Sequence, residues 1–421
     1  MSRWEEKPLE KVTLFIKDGS HGTHKDYENG IPLLSAKDIE KGKVLIPEDC
    51  RKISEKDFDQ IHTNYQILEN DIALTIVGTI GRVAIVENKI QKFTFQRSVG
   101  IFRVDTAHIY PKYCFHYFTS NRFQEALERS KNASAQGGVY LGELAKIKIS
   151  YPSIPEQRQI ATILSTADAV IEKTQAAIAK YKAIKQGMLQ DLFTRGINTT
   201  TGKLRPSYQD APELYKESKL GWIPKEWIQI PRLGDHVNIL SGFPFNSRLF
   251  NSDGEGLPLI RIRDLLKSKI ETFFNGEYPL EYLINEGDIL VGMDGDFHIV
   301  KWNNKKAALL NQRIMKLAQK HNSLIDINYF YYFLFPFLNT VWEKTTATTV
   351  KHLSTYDVSE ASLFFPIINE QKQIAKKLDS INKKLQTEQD FLHKQQQIKA
   401  GLMNDLLSGR KKVSIKEKEI A

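Results

Sequence analysis

Cysteine is nearly missing: two in 421 residues, Cys50 and Cys114, far apart and in no His/Cys cluster. That offers no zinc ligand set and no disulfide framework, and it fits a reducing cytoplasm. Long hydrophobic runs are missing too. The most apolar stretch, YFYYFLFPFL at 329–338, is too short to span a bilayer, contains a proline, and reads as a buried helix. The opening MSRWEEKPLEK lacks the apolar segment of a secretory signal. There is no GxxxxGK(S/T) phosphate loop, no HExxH, no CxxC and no GxGxxG. Nor is there an N-P-P-Y or D-P-P-Y tetrad of the kind an amino-methyltransferase places around its target base. Gly78-Thr79-Ile80-Gly81 sits in a β-rich setting and reads as a turn rather than a phosphate cradle. His21 and His24 lie three apart in a polar loop, but no third ligand follows, so a metal site is not expected. These absences speak against an enzyme with its own cofactor.

What is present is a repeat. PSIPEQRQI (152–160) returns as PIINEQKQI (366–374), an offset of 214 residues that holds without a gap until QGMLQDLFT (186–194) meets AGLMNDLLS (400–408). A period of half the chain argues for two similar halves rather than a short-repeat solenoid. The net charge of +9 is compatible with a polyanionic partner. Apolar or small residues recur in steps of four and three along both copies, the heptad signature of a helix with one seam. The expected seam is Ile160, Leu164, Ile171, Ile178 and Leu192 in the first helix. In the second it is Ile374, Leu378, Ile381, Leu385, Leu392, Leu402 and Leu406. Pro155 suits a first helical turn and Asn369 an N-cap, while Gly196 and Gly409 close the helices. Each helix is then about 60 Å long. Two matched stripes are most simply buried against each other.

The fronts of the halves match more loosely. IPLLSAKDI (31–39) resembles LPLIRIRDL (257–265), NDIALTIVGTI (70–80) resembles GDILVGMDGDF (287–297), and Gln96-Arg97 pairs with Gln312-Arg313. Short β-rich runs alternate with Gly, Asn and Asp turns, followed by short helical patterns. Asp71 and Asp288 follow turn residues and start strands, so turn chemistry explains them. The expected organisation is a first α/β domain over 1–152, a long helix over 153–195 and a linker over 196–221. A second α/β domain over 222–366, a second long helix over 367–410 and a charged tail over 411–421 follow. Running the helices antiparallel puts one domain at each end with approximate two-fold symmetry.

With these features in order, the whole chain resembles the specificity (S) subunits of type I DNA restriction–modification enzymes. The residues that carry the resemblance are DGSHGTHKDYENGIPLLSAKDI (18–39), the helix start at 152–157, LGWIPKEW (220–227), ALLNQR (308–313), TTVKHLS (348–354) and the second helix at 366–408. The resemblance implies two α/β target-recognition domains joined by two long antiparallel helices and reading a split double-stranded DNA target. It implies a scaffold without catalysis of its own that carries two methyltransferase subunits, with restriction subunits added. S-adenosylmethionine, ATP and Mg would belong to those partners, with no cofactor in this chain and no membrane role.

Candidate DNA contacts follow. The polar loop Ser20, His21, Thr23, His24 and Lys25 is either a recognition loop or an ordinary one. Gln96-Arg97 and Gln312-Arg313 can bond adenine, guanine or phosphate, or hold a shared structural place. Arg82, Arg261, Arg263, Lys301, Lys351 and His352 complete the set, and Arg82 has no counterpart in the second half. Two other classes compete: a restriction or modification polypeptide with its own active site, and a coiled-coil adaptor that binds proteins through its globular ends.

Overall fold

Each front half is built on a four-stranded antiparallel sheet of the same topology. In the first, β1 (Thr13–Asp18), β2 (Ile72–Thr75), β3 (Val83–Ile85) and β4 (Val99–Val104) lie in the order β1-β4-β2-β3. In the second, β5 (Val237–Ser241), β6 (Ile289–Gly292), β7 (Ile299–Lys301) and β8 (Ile314–Gln319) lie in the order β5-β8-β6-β7. The computed structural model describes residues 4–87, 91–132, 138–218, 221–267, 269–344 and 351–414. It divides into one unit of Met1–Ala177 with Glu388–Ala421 and another of Ile178–Thr387. Leu220, residues 348–350 of TTVKHLS and the tail from 415 lie outside the described residues.

The central strands are buried on both faces because alternate side chains enter different cores. Ile72 and Leu74 pack with Phe102, Tyr113, Tyr117 and Phe118 under the helices, whereas Ala73 and Ile101 pack with Leu34 and Phe95 on the other side. In the second unit Ile289 and Val291 join Tyr329 and Phe330, while Leu290 joins Ile260 and Leu310. Smaller sheets flank each main sheet, and both contain one parallel pairing, Leu33 with Thr94 and Leu259 with Leu309. Each domain is therefore of mixed α/β type.

The helices are α1 (Pro111–Phe118), α2 (Asn121–Asn132), α3 (Ile154–Thr194), α4 (Ile327–Lys344) and α5 (Ile368–Leu406). The apolar run 329–338 lies within α4, with Tyr329, Phe330 and Leu334 fully buried. Within each unit, segments of α3 and α5 run antiparallel. In the first, Ile160 and Leu164 share a core with Leu406 and Leu407, and Lys399 forms an ion pair with Asp168. In the second, Lys384 sits 5.0 Å from the Tyr181 ring centroid, and Leu192 shares a core with Ile374 and Leu378. Ile160, Leu164, Ile178, Leu192, Ile374, Leu378, Leu385 and Leu406 are buried, and Ile171, Ile381, Leu392 and Leu402 are half-buried. A fully buried Leu or Ile contributes about 1.5–3 kcal/mol.

The repeated glutamine accounts for the gapless match of the two helix starts. Gln157 accepts from the Tyr110 N–H at 2.7 Å and donates to the His108 and Pro152 carbonyls, both at 2.9 Å. Gln371 accepts from the Asp326 N–H and donates to the Leu324 and Pro366 carbonyls, all at 2.8 Å. Both side chains are fully buried, and each fastens a long helix to the loop ahead of the domain's own helix.

One sequence expectation needs correction here. The second helix begins at Ile368, so Asn369 lies inside its first turn and is not the N-cap. The connecting segment, read from sequence only as lacking a period, is folded. Tyr215–Ser218 and Gly221–Pro224 form an antiparallel hairpin, and Ile197, Ala211 and Tyr215 are buried. Its short strands are too mixed in composition to show a period.

The domain helices also meet the long helices through polar groups. His116 shares a 3.0 Å hydrogen bond between Nε2 and the Ser165 hydroxyl, and burial pushes its pKa down to about 4. In the second unit the Tyr332 hydroxyl donates to Asp379 at 2.6 Å and accepts from Asn382 at 2.7 Å. Burial, with Asp379 beside it, raises the Tyr332 pKa.

Candidate nucleic-acid interface

In the first unit the polar loop after β1 is drawn against the segment before β4. Ser20 and Gln96 form a parallel bridge, the Ser20 N–H donates to the Phe95 carbonyl at 2.7 Å, and the Arg97 N–H donates to the Ser20 carbonyl at 3.0 Å. His24 lies 2.5 Å from the Ser20 hydroxyl and His21 lies 2.6 Å from the Asp18 carboxylate. Thr23, Lys25 and Arg97 are exposed. So Ser20, His21, Thr23, His24, Lys25, Gln96 and Arg97 form one surface. Arg82 is exposed at the start of β3, and its guanidinium turns toward the Ile39 carbonyl at 3.4 Å.

In the second unit three segments meet at the turn between β6 and β7. The Met293 N–H donates to the Arg313 carbonyl at 3.0 Å, the Gly295 N–H to Lys351 at 3.0 Å, and the Leu353 N–H to Met293 at 2.7 Å. Asp294 sits at their centre: His352 Nδ1 is 2.7 Å from one carboxylate oxygen, and Arg313 Nη1 is 3.5 Å from the other. The Lys351 ammonium lies 3.5 Å from the Trp342 ring centroid, and the Trp342 indole donates to the Gly295 carbonyl at 3.0 Å. Arg263 lines the recess beside Asp294, Asp296 and His298, and Gln312 is exposed next to Arg313.

Two sequence candidates stand apart. Arg261 bonds Asp264 through Nε at 3.1 Å within a short 3-10 turn, and Lys301 donates to Asn328 at 2.6 Å at the start of α4. Both are occupied by bonds inside the domain.

Strand register corrects the pairing of the two Gln-Arg dipeptides. Val99 faces Thr75 and Ile314 faces Gly292, and the Gly19 N–H bonds Val99 as the Gly242 N–H bonds Ile314. Gln96 therefore corresponds to Asn311, Arg97 to Gln312, and Ser98 to Arg313. The sequence match followed identity and slipped by one residue, which a loop of different length permits. Register also sets Val77 against Asp294.

Sequence reasoning passed over two features. Gly19 and Gly242 allow the loop to press on the neighbouring backbone, since a Cβ would stand 2.1 Å from the Phe95 oxygen or 2.0 Å from the Asn311 oxygen. Both follow the last residue of a main-sheet strand, a signal visible once those strands are aligned. Asp294 was passed over because an acidic residue does not look like a DNA contact.

The fold thus defines a duplicated reader: two domains of one topology, each carrying a loop cluster beside its sheet and resting on long-helix segments. Residues 1–181 and 224–400 match the type I restriction modification DNA specificity domain, and the chain belongs to that family, whose part is DNA recognition and not catalysis. It is 39% identical over 159 residues to the type I restriction enzyme EcoBI specificity subunit of Escherichia coli, a match spanning 38% of this chain and only 33% of that subunit. It is 25% identical over 406 residues to the MjaIX specificity subunit of Methanocaldococcus jannaschii, covering 88% of this chain and 89% of that one. A crystal structure of a type I restriction–modification S subunit from M. genitalium shares the fold, with a TM-score of 0.59, 16% identity and 96% of each chain covered.

Proposed function

We propose that each loop cluster reads one half of a bipartite double-stranded DNA target, so that the chain sets the sequence specificity of a restriction–modification assembly. The observation that carries this is the recurrence of the cluster at the same place on both sheets with different side chains, Ser98 and Val77 in one and Arg313 and Asp294 in the other. Equal scaffolds with unequal tips suit two unequal half-sites. Ser20, His21, Thr23, His24, Lys25, Arg82, Gln96 and Arg97 would serve the first half-site, and Arg263, Gln312, Arg313, Lys351 and His352 the second. The paired helices carry two methyltransferase subunits, to which restriction subunits add. S-adenosylmethionine, ATP and Mg belong to those partners, and the assembly works in the cytoplasm. Among the described residues no helix is long and apolar enough to cross a membrane.

The test compares the chain alone with the chain bound to its methyltransferase subunits. Alone it should bind DNA weakly and transfer no methyl groups. The complex should bind specifically, with affinity falling steeply as salt rises, because phosphate contacts release counterions. Methyl transfer by the pure chain, or salt-insensitive binding by the complex, would overturn the proposal.

A further inference from the structure

We infer that Asp294 is a positioning residue for base recognition by the second domain, holding the Arg313 guanidinium so that it reads one guanine. The inference rests on the function proposed above and gives a role to an acidic residue outside the candidate contacts.

The first observation is a double exchange. At two places equivalent by strand register, the first domain has Val77 and Ser98, and the second has Asp294 and Arg313. The Ser98 hydroxyl is engaged within its own domain, accepting from the Ala36 N–H at 3.2 Å. Val77 offers no carboxylate. In the second domain both places are charged, of opposite sign, and in contact at 3.5 Å. A surface ion pair contributes little to stability, commonly under about 1 kcal/mol. Stability alone is thus a poor reason for placing a pair on the rim of a recognition cluster.

The second observation is the rigidity of the turn that carries Asp294. Gly295, at φ 78°, supplies the left-handed turn position. Its N–H and carbonyl are held by Lys351 and Trp342, and Met293 is bonded on both sides, to Arg313 and to Leu353. The Asp294 side chain is 27% exposed, whereas those of Arg313 and His352 are 58% and 50% exposed. The carboxylate is seated in the turn and the two nitrogen-bearing groups project outward from it. An arginine reads guanine through two parallel bonds to O6 and N7, and each such pair discriminates by about 1–3 kcal/mol. That geometry requires the guanidinium plane to be fixed before contact. A carboxylate 3.5 Å from one terminal nitrogen of the fork draws it toward one orientation and leaves the remaining N–H groups free for the base.

The experiment uses the complex with its methyltransferase subunits and a pool of DNA with randomised half-sites, scoring methylated sequences. Asp294→Ala should relax the preference at a single base pair of one half-site, by roughly ten-fold or more. Arg313→Ala should relax the same base pair, and the double variant should be no worse than Arg313→Ala alone. The other half-site and the salt slope of binding should be unchanged, because phosphate contacts are untouched. Asp294→Asn, which keeps an acceptor oxygen, should retain part of the preference. An Asp294→Ala complex with an unchanged motif would overturn the inference, and so would relaxation at a base pair that Arg313→Ala leaves intact. Equal weakening of both half-sites would assign Asp294 a merely structural role. A wild-type complex without any sequence preference would instead overturn the function on which the inference rests.

Discussion

Removing the Glu370 carboxylate should unfold one unit selectively. Glu370 is fully buried in the first turn of α5, where three parts of the second unit meet. It accepts both terminal nitrogens of Arg205, one at 2.8 Å, and the Ile197 N–H at 2.8 Å. Gly196, with φ 62°, brings the end of α3 so close that a Cβ there would strike the carboxylate at 2.1 Å. Glu370→Ala would leave a nearly buried guanidinium with a single carboxylate, the exposed Glu226 at 2.6 Å, beside the Arg195 carbonyl at 3.2 Å, and would strand a buried N–H. Breaking a buried pair from one side costs about 3–5 kcal/mol, because the other charge stays desolvated. For a unit of this size 1 kcal/mol moves the melting temperature by roughly 2–4 °C, so the second unit should melt about 6–20 °C lower. Differential scanning calorimetry should then split into two transitions, with the first unit's transition unmoved. Glu156 stands at the matching place of α3 but accepts from the Ser153 N–H and hydroxyl, at 3.2 and 2.7 Å. An equal shift of the first unit's transition, or a shift below about 3 °C for the second, would refute the reasoning.

Gln157→Ala and Gln371→Ala should each destabilise their own unit by roughly 2–3 kcal/mol, measured by chemical denaturation, since each orphans buried main-chain groups. His116 is neutral and buried, with its pKa lowered to about 4. As pH falls from about 6.5 to 4 the unfolded chain takes up a proton that the folded chain refuses, so about 3 kcal/mol is lost across that window; a His116→Gln variant should show a flatter stability profile there. Adding one heptad to each of α3 and α5 lengthens the pair by about 10 Å and keeps the seam in phase. In DNA binding with the central gap varied by single base pairs, the optimum should move by about three base pairs or affinity should drop, because three steps also turn the groove by about a third of a turn. An unchanged optimum at unchanged affinity would show that the helices do not set the distance.

The long helices were legible because Leu or Ile recurs along one seam in most of their heptads, and α3 and α5 emerge close to the lengths that this pattern implied. The topology of the fronts was not, since β2 and β6 are buried on both faces and show no alternation. The role of Gln157 and Gln371 was also hidden: their recurrence marked a helix start, but not the distant loops they bond. At the candidate interface the loop around Ser20 and the basic residues near Arg313 could be named from residue type. Their grouping could not, because it depends on a strand register one residue away from the best sequence match. Arg261 and Lys301 looked as free as Arg313 in the sequence, and only their bonds to Asp264 and Asn328 set them apart.

The two buried glutamines have a consequence for how such a chain can change over generations. Every bond that Gln157 and Gln371 make across to the domain ends on a main-chain N–H or carbonyl. Carbonyls are supplied by every residue and N–H groups by every residue but proline. At these two points the joint therefore asks nothing of side-chain identity on the domain side and asks only for the path of the loop. A foreign front of the same backbone course then needs matching side chains only where the domain helix itself meets the long helix, as His116 meets Ser165 and Tyr332 meets Asp379. New target sequences are then open to exchange by recombination of whole fronts, while the helices remain as common stock.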